Sequence, residues 1–279
     1  MKKLPLQLLE ALHENHQRTV DWMERSNADV LLHSSEDLPG YVVPTHSHSR
    51  TQLLCVFSGV VLVDTDKGRW MIPAGHALLI PSRLPHSVEM LSDVAIRSVY
   101  MFDRASDPPR PAPKVLEVTE LARSLILEAI RLREVPQSDR KAELVLTLLI
   151  EEIATLNERP LSLPFPDDRR LAGLCRDYMA APSPNARLDD WAQRLAMSRR
   201  TFTRFFREQT GISFVTWRQQ ASVFACLPKL AEGMPVTRVA LEAGYESVAA
   251  FTTMFRRVLG SAPRAYIADR HAFGRVSIS

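Results

Sequence analysis

Four side chains in the first third of the chain have the types and spacing of a ligand-binding set: His46, His48 and Gln52, with His86 further along. The even separations put His46, His48 and Gln52 on one face of a single extended strand. A neighbouring strand carrying His86 would complete three imidazoles and one oxygen around a cavity. Such a set suits Zn²⁺, Ni²⁺, Fe²⁺ or Mn²⁺. It serves equally as a metal-free pocket in which the histidines hydrogen-bond a small effector or one another. Gln52 brings a neutral amide where a catalytic ligand set calls for charge, which weighs against metal-assisted chemistry. The isolated histidines His13, His16, His33, His76 and His271 read as ordinary surface or cap residues.

A second group could do a different job. Arg200, Thr203, Arg204 and Arg207 fall on one stripe of a helix whose opposite stripe is Phe202, Phe205, Phe206 and Gln209, and Arg199 before them is a further DNA-binding candidate. An outward face of arginine and threonine can bond guanine edges through bidentate guanidinium contacts and neutralise phosphates. Arg200, Thr203 and Arg204 are the base-edge candidates, and Arg207 is the phosphate candidate. Further on, Phe251, Met254, Phe255 and Val258 form a similar apolar stripe, with Ala249, Thr252, Thr253 and Arg256 in the matching outward places and Ser247 as a further DNA-binding candidate. That second surface suits shape and methyl contacts more than guanine readout.

The two helices belong to an internal repeat. Leu188, Ala192, Leu195 and Met197 align with Val236, Ala240, Ala243 and Tyr245 at one offset. Past the turn, Phe202, Phe206, Arg207 and Gly211 align with Phe251, Phe255, Arg256 and Gly260 at an offset one residue longer. Each copy reads as a short helix, a tight turn and a longer helix that Ser198 or Ser247 can cap. The units are expected over about 188–211 and 236–260.

The elements ahead of the repeat are of another kind. Residues about 17–103 hold short apolar runs, such as Gln52–Phe57, Val60–Val63 and Ala77–Ile80, broken by turn residues at Pro39-Gly40, Ser58-Gly59 and Asp66-Lys67-Gly68. Closely spaced short strands imply an antiparallel sandwich or barrel. The proline cluster Asp107–Pro113 closes the β region, and two amphipathic helices are expected over about 115–134 and 139–157. Their stripes, carried by Leu121, Leu125, Leu144 and Leu148, must be buried on the barrel, on each other or in a homodimer interface. Pro160, Pro164 and Pro166 mark a proline-rich linker at 161–167.

Charge divides the same way. Residues 1–166 carry 18 basic and 22 acidic side chains, and residues 167–279 carry 17 and 10, so the halves are −4 and +7. An excess of positive charge beside exposed arginines suits a polyanion. Three scattered cysteines, Cys55, Cys175 and Cys226, make neither a disulfide framework nor a zinc ribbon, which points to a reducing cytoplasm. The apolar residues after Met1-Lys2-Lys3 are broken by Pro5, Gln7, Glu10, His13 and Glu14, so no secretory leader is expected. No apolar run is long enough for a membrane span.

The stretches Leu188–Gly211 and Val239–Pro263, with Gly244-Tyr245, Phe251, Phe255-Arg256-Arg257 and Gly260, resemble the AraC/XylS family of transcription regulators over about 100 residues. Gly40-x5-His46-x-His48-x3-Gln52-x6-Gly59 resembles the first cupin motif, and Gly75-x5-Pro81-x-Arg83-x2-His86 the second, with Arg83 replacing a glycine. The resemblance implies an α+β chain of two domains. Residues 1–160 would form a cupin-type β-barrel with linker helices, for effector sensing and dimerisation. Residues 168–271 would form an all-α domain with two helix-turn-helix units in successive major grooves, joined by a linker helix at about 213–231. Two departures stand out: Ser222 replaces the family's usual arginine, and Pro228 lies inside the linker helix, which should end near Cys226 or kink. The expected function is sequence-specific regulation of transcription, as activator or repressor, with double-stranded DNA and a small-molecule or metal effector as partners and no enzymatic activity. A metal-dependent cupin enzyme with a helical accessory domain is the alternative.

Overall fold

A computed structural model describes residues 4–66, 68–102, 112–134, 139–159, 162–180, 182–183 and 186–267. Lys67, the 107–111 part of the proline cluster, Pro160 and the segment from 268 to His271 lie outside them. The elements run α1 (Leu6–Arg25), β1 (Val30–Asp37), β2 (Val42–His46), β3 (Thr51–Ser58), β4 (Val60–Thr65), β5 (Gly68–Pro73), β6 (His76–Ile80), β7 (His86–Met90), β8 (Val94–Met101) and β9 (Lys114–Glu117). There follow α2 (Glu120–Glu134), α3 (Asp139–Thr155), β10 (Ser162–Leu163), α4 (Arg169–Ala180), α5 (Leu188–Arg194), α6 (Arg199–Thr210), α7 (Phe214–Ala231), α8 (Val236–Glu242) and α9 (Val248–Leu259). By contacts the described residues fall into two units, the first of residues 4–65 and 72–159, the second of residues 66–71 and the part from 162 onward.

In the first unit, β1-β8-β3-β6-β9 form one antiparallel sheet, and β4, β7 and β2 run side by side in a second. Strand β3 is buried at seven successive positions because both of its faces are covered. Its Leu53, Cys55 and Phe57 pack outward with Leu32, Ala77 and Val99 against Ala122, Leu125, Ile126 and Ala129 of α2 and Leu149 and Ile153 of α3. Gln52 and Leu54 face the interior.

Three expectations for this half are corrected. Residues 17–25 are helix, since α1 runs to Arg25, and residues 114–117 pair as β9 before α2 begins. His46, His48 and Gln52 do not share one strand: β2 ends at His46, His48 lies in the connection and Gln52 opens β3 in the other sheet. Pro44 and a register shift after Val43 break the ladder there, at a sheet edge where a missing N–H is tolerated. The helical stripe is phased differently too, for Leu121, Leu144 and Leu148 are 47%, 60% and 47% exposed while Ala122, Ile126 and Leu149 are buried.

The second unit is helical apart from β10 and the first part of β5, which pair through Ser162 opposite Trp70 and Leu163 opposite Arg69. The segment read as a linker is thus tied down, and Trp217 Nε1 donates to Pro164 O at 2.9 Å. An aromatic knot of Trp191, Phe202, Phe206, Phe214 and Trp217 fills the first helix-turn-helix, with ring centroids 5.0–6.5 Å apart. Tyr245, Phe251, Phe255 and Tyr266 fill the second. Helix α7 continues to Ala231 rather than ending near Cys226. Pro228 removes a backbone bond only one turn from the end, and burial of Leu227, Leu230 and Ala231 holds that turn in place. Ser222 is buried, its hydroxyl 2.6 Å from the Tyr178 hydroxyl.

Candidate nucleic-acid interface and effector pocket

The two long helices of the repeat are built alike. Ser198 and Ser247 cap them, their side chains accepting from the Thr201 and Ala250 amides, so the Ser247 hydroxyl already has work as a cap. Gly211 and Gly260 close them in the left-handed conformation at φ 74 and 78. The turns match bond for bond: Met197 N donates to Ala192 O and Ala196 N to Gln193 O, as Tyr245 N does to Ala240 O and Gly244 N to Leu241 O.

Inward, Phe202, Phe206, Phe251 and Phe255 are fully buried, and Phe205, Met254 and Val258 are half-buried. Outward, Arg199, Arg200, Thr203, Arg204 and Arg207 of α6 are exposed, as are Ser247, Ala249, Thr253 and Arg256 at α9, with Thr252 half-buried. Arg199 pairs with Asp189 at 2.9 Å and Arg204 lies 3.6 Å from Glu208. Such exposed pairs are worth at most about 1 kcal/mol and leave the guanidinium groups exchangeable. Thr203 and Thr253 donate back to the Arg199 and Ala249 carbonyls.

In the first unit, His46 and His86 meet across β2 and β7 as a directly opposed pair, their ring centroids 4.4 Å apart. His48 comes in from the connection, where Arg83 N donates to His48 O at 2.7 Å. Arg83 stands at φ 62, a left-handed position that explains why the motif ordinarily has glycine there. The ligand nitrogens of His46, His48 and His86 lie within 4.8 Å of one another.

Each of the three rings has its Nδ1 against a backbone carbonyl: His46 on Pro44 at 2.9 Å, His48 on Arg50 at 2.7 Å and His86 on Leu84 at 2.9 Å. Carbonyls only accept, so Nδ1 carries the proton and, in His46 and His86, Nε2 offers a lone pair, the arrangement that orients metal-ligating imidazoles. His48 Nε2 faces the Gln52 amide oxygen, so it has a lone pair to offer only with the Gln52 amide turned over. Gln52 is buried rather than open to an ion; its amide lies 3.0 Å from His48 Nε2, 3.0 Å from Ser98 Oγ and 3.2 Å from the Tyr100 hydroxyl. The residues fit a divalent ion on three imidazoles, with Gln52 as a supporting neighbour of His48.

Two members of the pocket, His16 and His33, escaped the sequence reading. His16 is no surface residue: it projects from α1 and sets its ring edge-on to His46 at 4.4 Å. Burial, then the neighbouring His46, holds its pKa down to about 4, and the same two causes hold His86 at about 3. Burial also lowers His46. His33 likewise lines the pocket, its Nε2 3.3 Å from Thr19 Oγ1. The spacing of Leu8, Leu9, Leu12, His16, Val20 and Met23 could have revealed a helix with one inward stripe.

Comparison with known proteins agrees with this layout. A family described as an AraC-like ligand binding domain matches residues 30–150, and a helix-turn-helix domain matches residues 191–269. The chain is 28% identical over 225 residues to the HTH-type transcriptional regulator NimR of Escherichia coli strain K12, covering 81% of this chain and 82% of that one. It is also 28% identical over 123 residues to the arabinose operon regulatory protein of the same organism, covering 43% and 40%. Structures of ToxT from Vibrio cholerae align over 86% of this chain and 98% of theirs at 13% identity, with a TM-score of 0.37 that carries no further argument. Among the described residues no helix is long and apolar enough to cross a membrane. The chain therefore joins an AraC-like ligand-binding domain to a helix-turn-helix domain, the layout of the DNA-binding transcription regulators to which it is similar.

Proposed function

We propose that this regulator reads a bipartite DNA site with Arg200, Thr203 and Arg204 on base edges and Arg199 and Arg207 on phosphate, while Ser247, Ala249, Thr252, Thr253 and Arg256 read shape and methyl groups. The paired exposure of these side chains behind two buried phenylalanine seams is the observation that carries the reading. Half-sites centred about one helical turn, ~10 bp, apart follow from two units on one face of a duplex.

An effector in the first unit sets the affinity for DNA by favouring one of two conformations. The pocket of about 70 Å³, walled by His33, Asp37, His46, Gln52, His86 and Tyr100, supports a small polar effector. Sites for drug-sized ligands run to about 300–1,000 Å³, so an ion or a metabolite of a few heavy atoms fits the space better. A homodimer belongs to the same proposal, because Leu144 and Leu148 stand one turn apart and exposed on α3, and the cytoplasm is where such a regulator meets DNA. Selection of bound DNA from random sequence, with and without candidate effectors, tests the whole. The expected result is a two-part motif whose affinity shifts with effector; recovery of no motif would sink the reading.

A further inference from the structure

Helix α1 is fastened to the rest of its unit unevenly. At its C-terminal end Met23 is fully buried, Ser49 N donates to Glu24 at 2.8 Å, and Arg50 reaches the Ser26 and Ala28 carbonyls at 2.7 Å each. Its N-terminal half touches the barrel through half-buried Leu8, Leu9, Leu12 and His16, with His13 Nε2 3.3 Å from Val42 O. His16 stands at the middle of the helix, between the secured end and the looser one, and lines the pocket.

Two ring nitrogens in this region are buried with no hydrogen-bond partner, His86 Nε2 and His16 Nε2. An imidazole nitrogen taken out of water without a partner costs on the order of 1–3 kcal/mol. On His86 the nitrogen left over is a lone pair, since Nδ1 holds the proton against Leu84 O, and the unpartnered His16 ring beside His46 can offer a second. We propose that His16 joins His46, His48 and His86 as the fourth imidazole of a site for a late first-row divalent cation, so that occupancy clamps α1 onto the barrel. This rests on the reading of the barrel as the effector domain.

The chemistry of the set selects the ion. Four neutral nitrogens suit Zn²⁺, Ni²⁺, Co²⁺ or Cu²⁺, whereas Mg²⁺ and Ca²⁺ demand oxygen. The three barrel rings are pre-oriented by their carbonyls, and His16 lies outside their 4.8 Å group. A rotation of the His16 side chain completes the shell, and the binding energy of that last bond is what draws the N-terminal half of α1 inward. Metal binding and helix ordering are then one event.

The test uses the purified full chain, stripped of metal and titrated with Co²⁺ while its d–d absorption is recorded, with hydrogen exchange of α1 followed in parallel. The expected result is one ion per chain and slower exchange over Leu6–Arg25 on binding. His16→Ala should bind at least tenfold more weakly, with an altered Co²⁺ spectrum and no protection of α1. His13→Ala, on the same helix but outside the pocket lining, should bind Co²⁺ like the parent. Equal affinity and equal protection in His16→Ala overturn the proposal, and so does a folded parent that takes up no Co²⁺ or Zn²⁺. In that last case an organic effector that still shifts DNA affinity keeps the regulator reading intact, whereas metal uptake without any effect on DNA binding leaves the site standing and removes its regulatory role.

Discussion

Ala196 and Gly244 occupy the same place in the two helix-turn-helix turns, make the same backbone hydrogen bond, and both stand in the left-handed region, at φ 56 and 74. One copy has the residue that accepts this conformation freely; the other holds a side chain there at a cost of about 1–2 kcal/mol.

Ala196→Gly should therefore raise the stability of the chain, by about 0.5–1 kcal/mol after the extra backbone entropy of glycine is subtracted. Gly244→Ala should lower it by about 1 kcal/mol. Urea unfolding followed by circular dichroism reads both, and shifts of the same sign would refute the equivalence of the two turns.

Arg204→Ala should cost about 1–3 kcal/mol of operator binding and relax preference at one base position. Arg207→Ala should weaken all sequences alike and reduce the slope of affinity against salt by about one charge. Quantitative binding to a selected site and its single-base variants, over a range of salt, separates the two. Identical behaviour of the variants would show the sorting of base from phosphate contacts to be mistaken.

Leu144 and Leu149 make a matched pair on α3, one 60% exposed and the other fully buried. Leu149→Ala should cost about 2–5 kcal/mol through lost burial and a cavity, and Leu144→Ser should change stability by no more than about 0.5 kcal/mol. If the chain dimerises through this face, Leu144→Glu with Leu148→Glu should halve the mass seen by light scattering while leaving the melting temperature of the dilute protein nearly unchanged.

The first unit should lose stability on mild acidification. Burial lowers the pKa of His33, with Arg133 and Arg97 adding to the effect, and lowers His76, where Glu117 partly offsets and Arg159 reinforces it. The unfolded rings titrate near ~6.5, so below that value and down to the lowered native ones the unfolded chain binds more protons. Stability then rises with pH across this window and falls as pH drops through it. Thermal melts at pH 7 and pH 5 should show a lower transition at pH 5, diminished in a His33→Gln, His76→Gln variant.

The tandem units were legible because helical phase repeats over a short stretch: Phe202 and Phe206, then Phe251 and Phe255, announce their own burial. The set His46, His48, Gln52 and His86 was legible as a group, although the geometry that assembles it was not. Even spacing suggested one strand, whereas β2 pairs with β7 and β3 pairs with β6 and β8, partners far along the chain that put His46 and Gln52 in different sheets. His16 was missed for the same reason, since its neighbour His46 is thirty positions away and no local pattern ties the two. Leucines alone misphased α3, because the sheet selects the stripe with Leu149 and Ile153.

The two units match helix for helix, seven and twelve residues in each, yet the second carries one more residue in its joint, where Glu246 stands exposed. Neither the caps nor the phenylalanine seam register the addition. The joint thus behaves as slack between two fixed stops, and a spectroscopic label attached at position 246 would ride with the second unit without disturbing either grip.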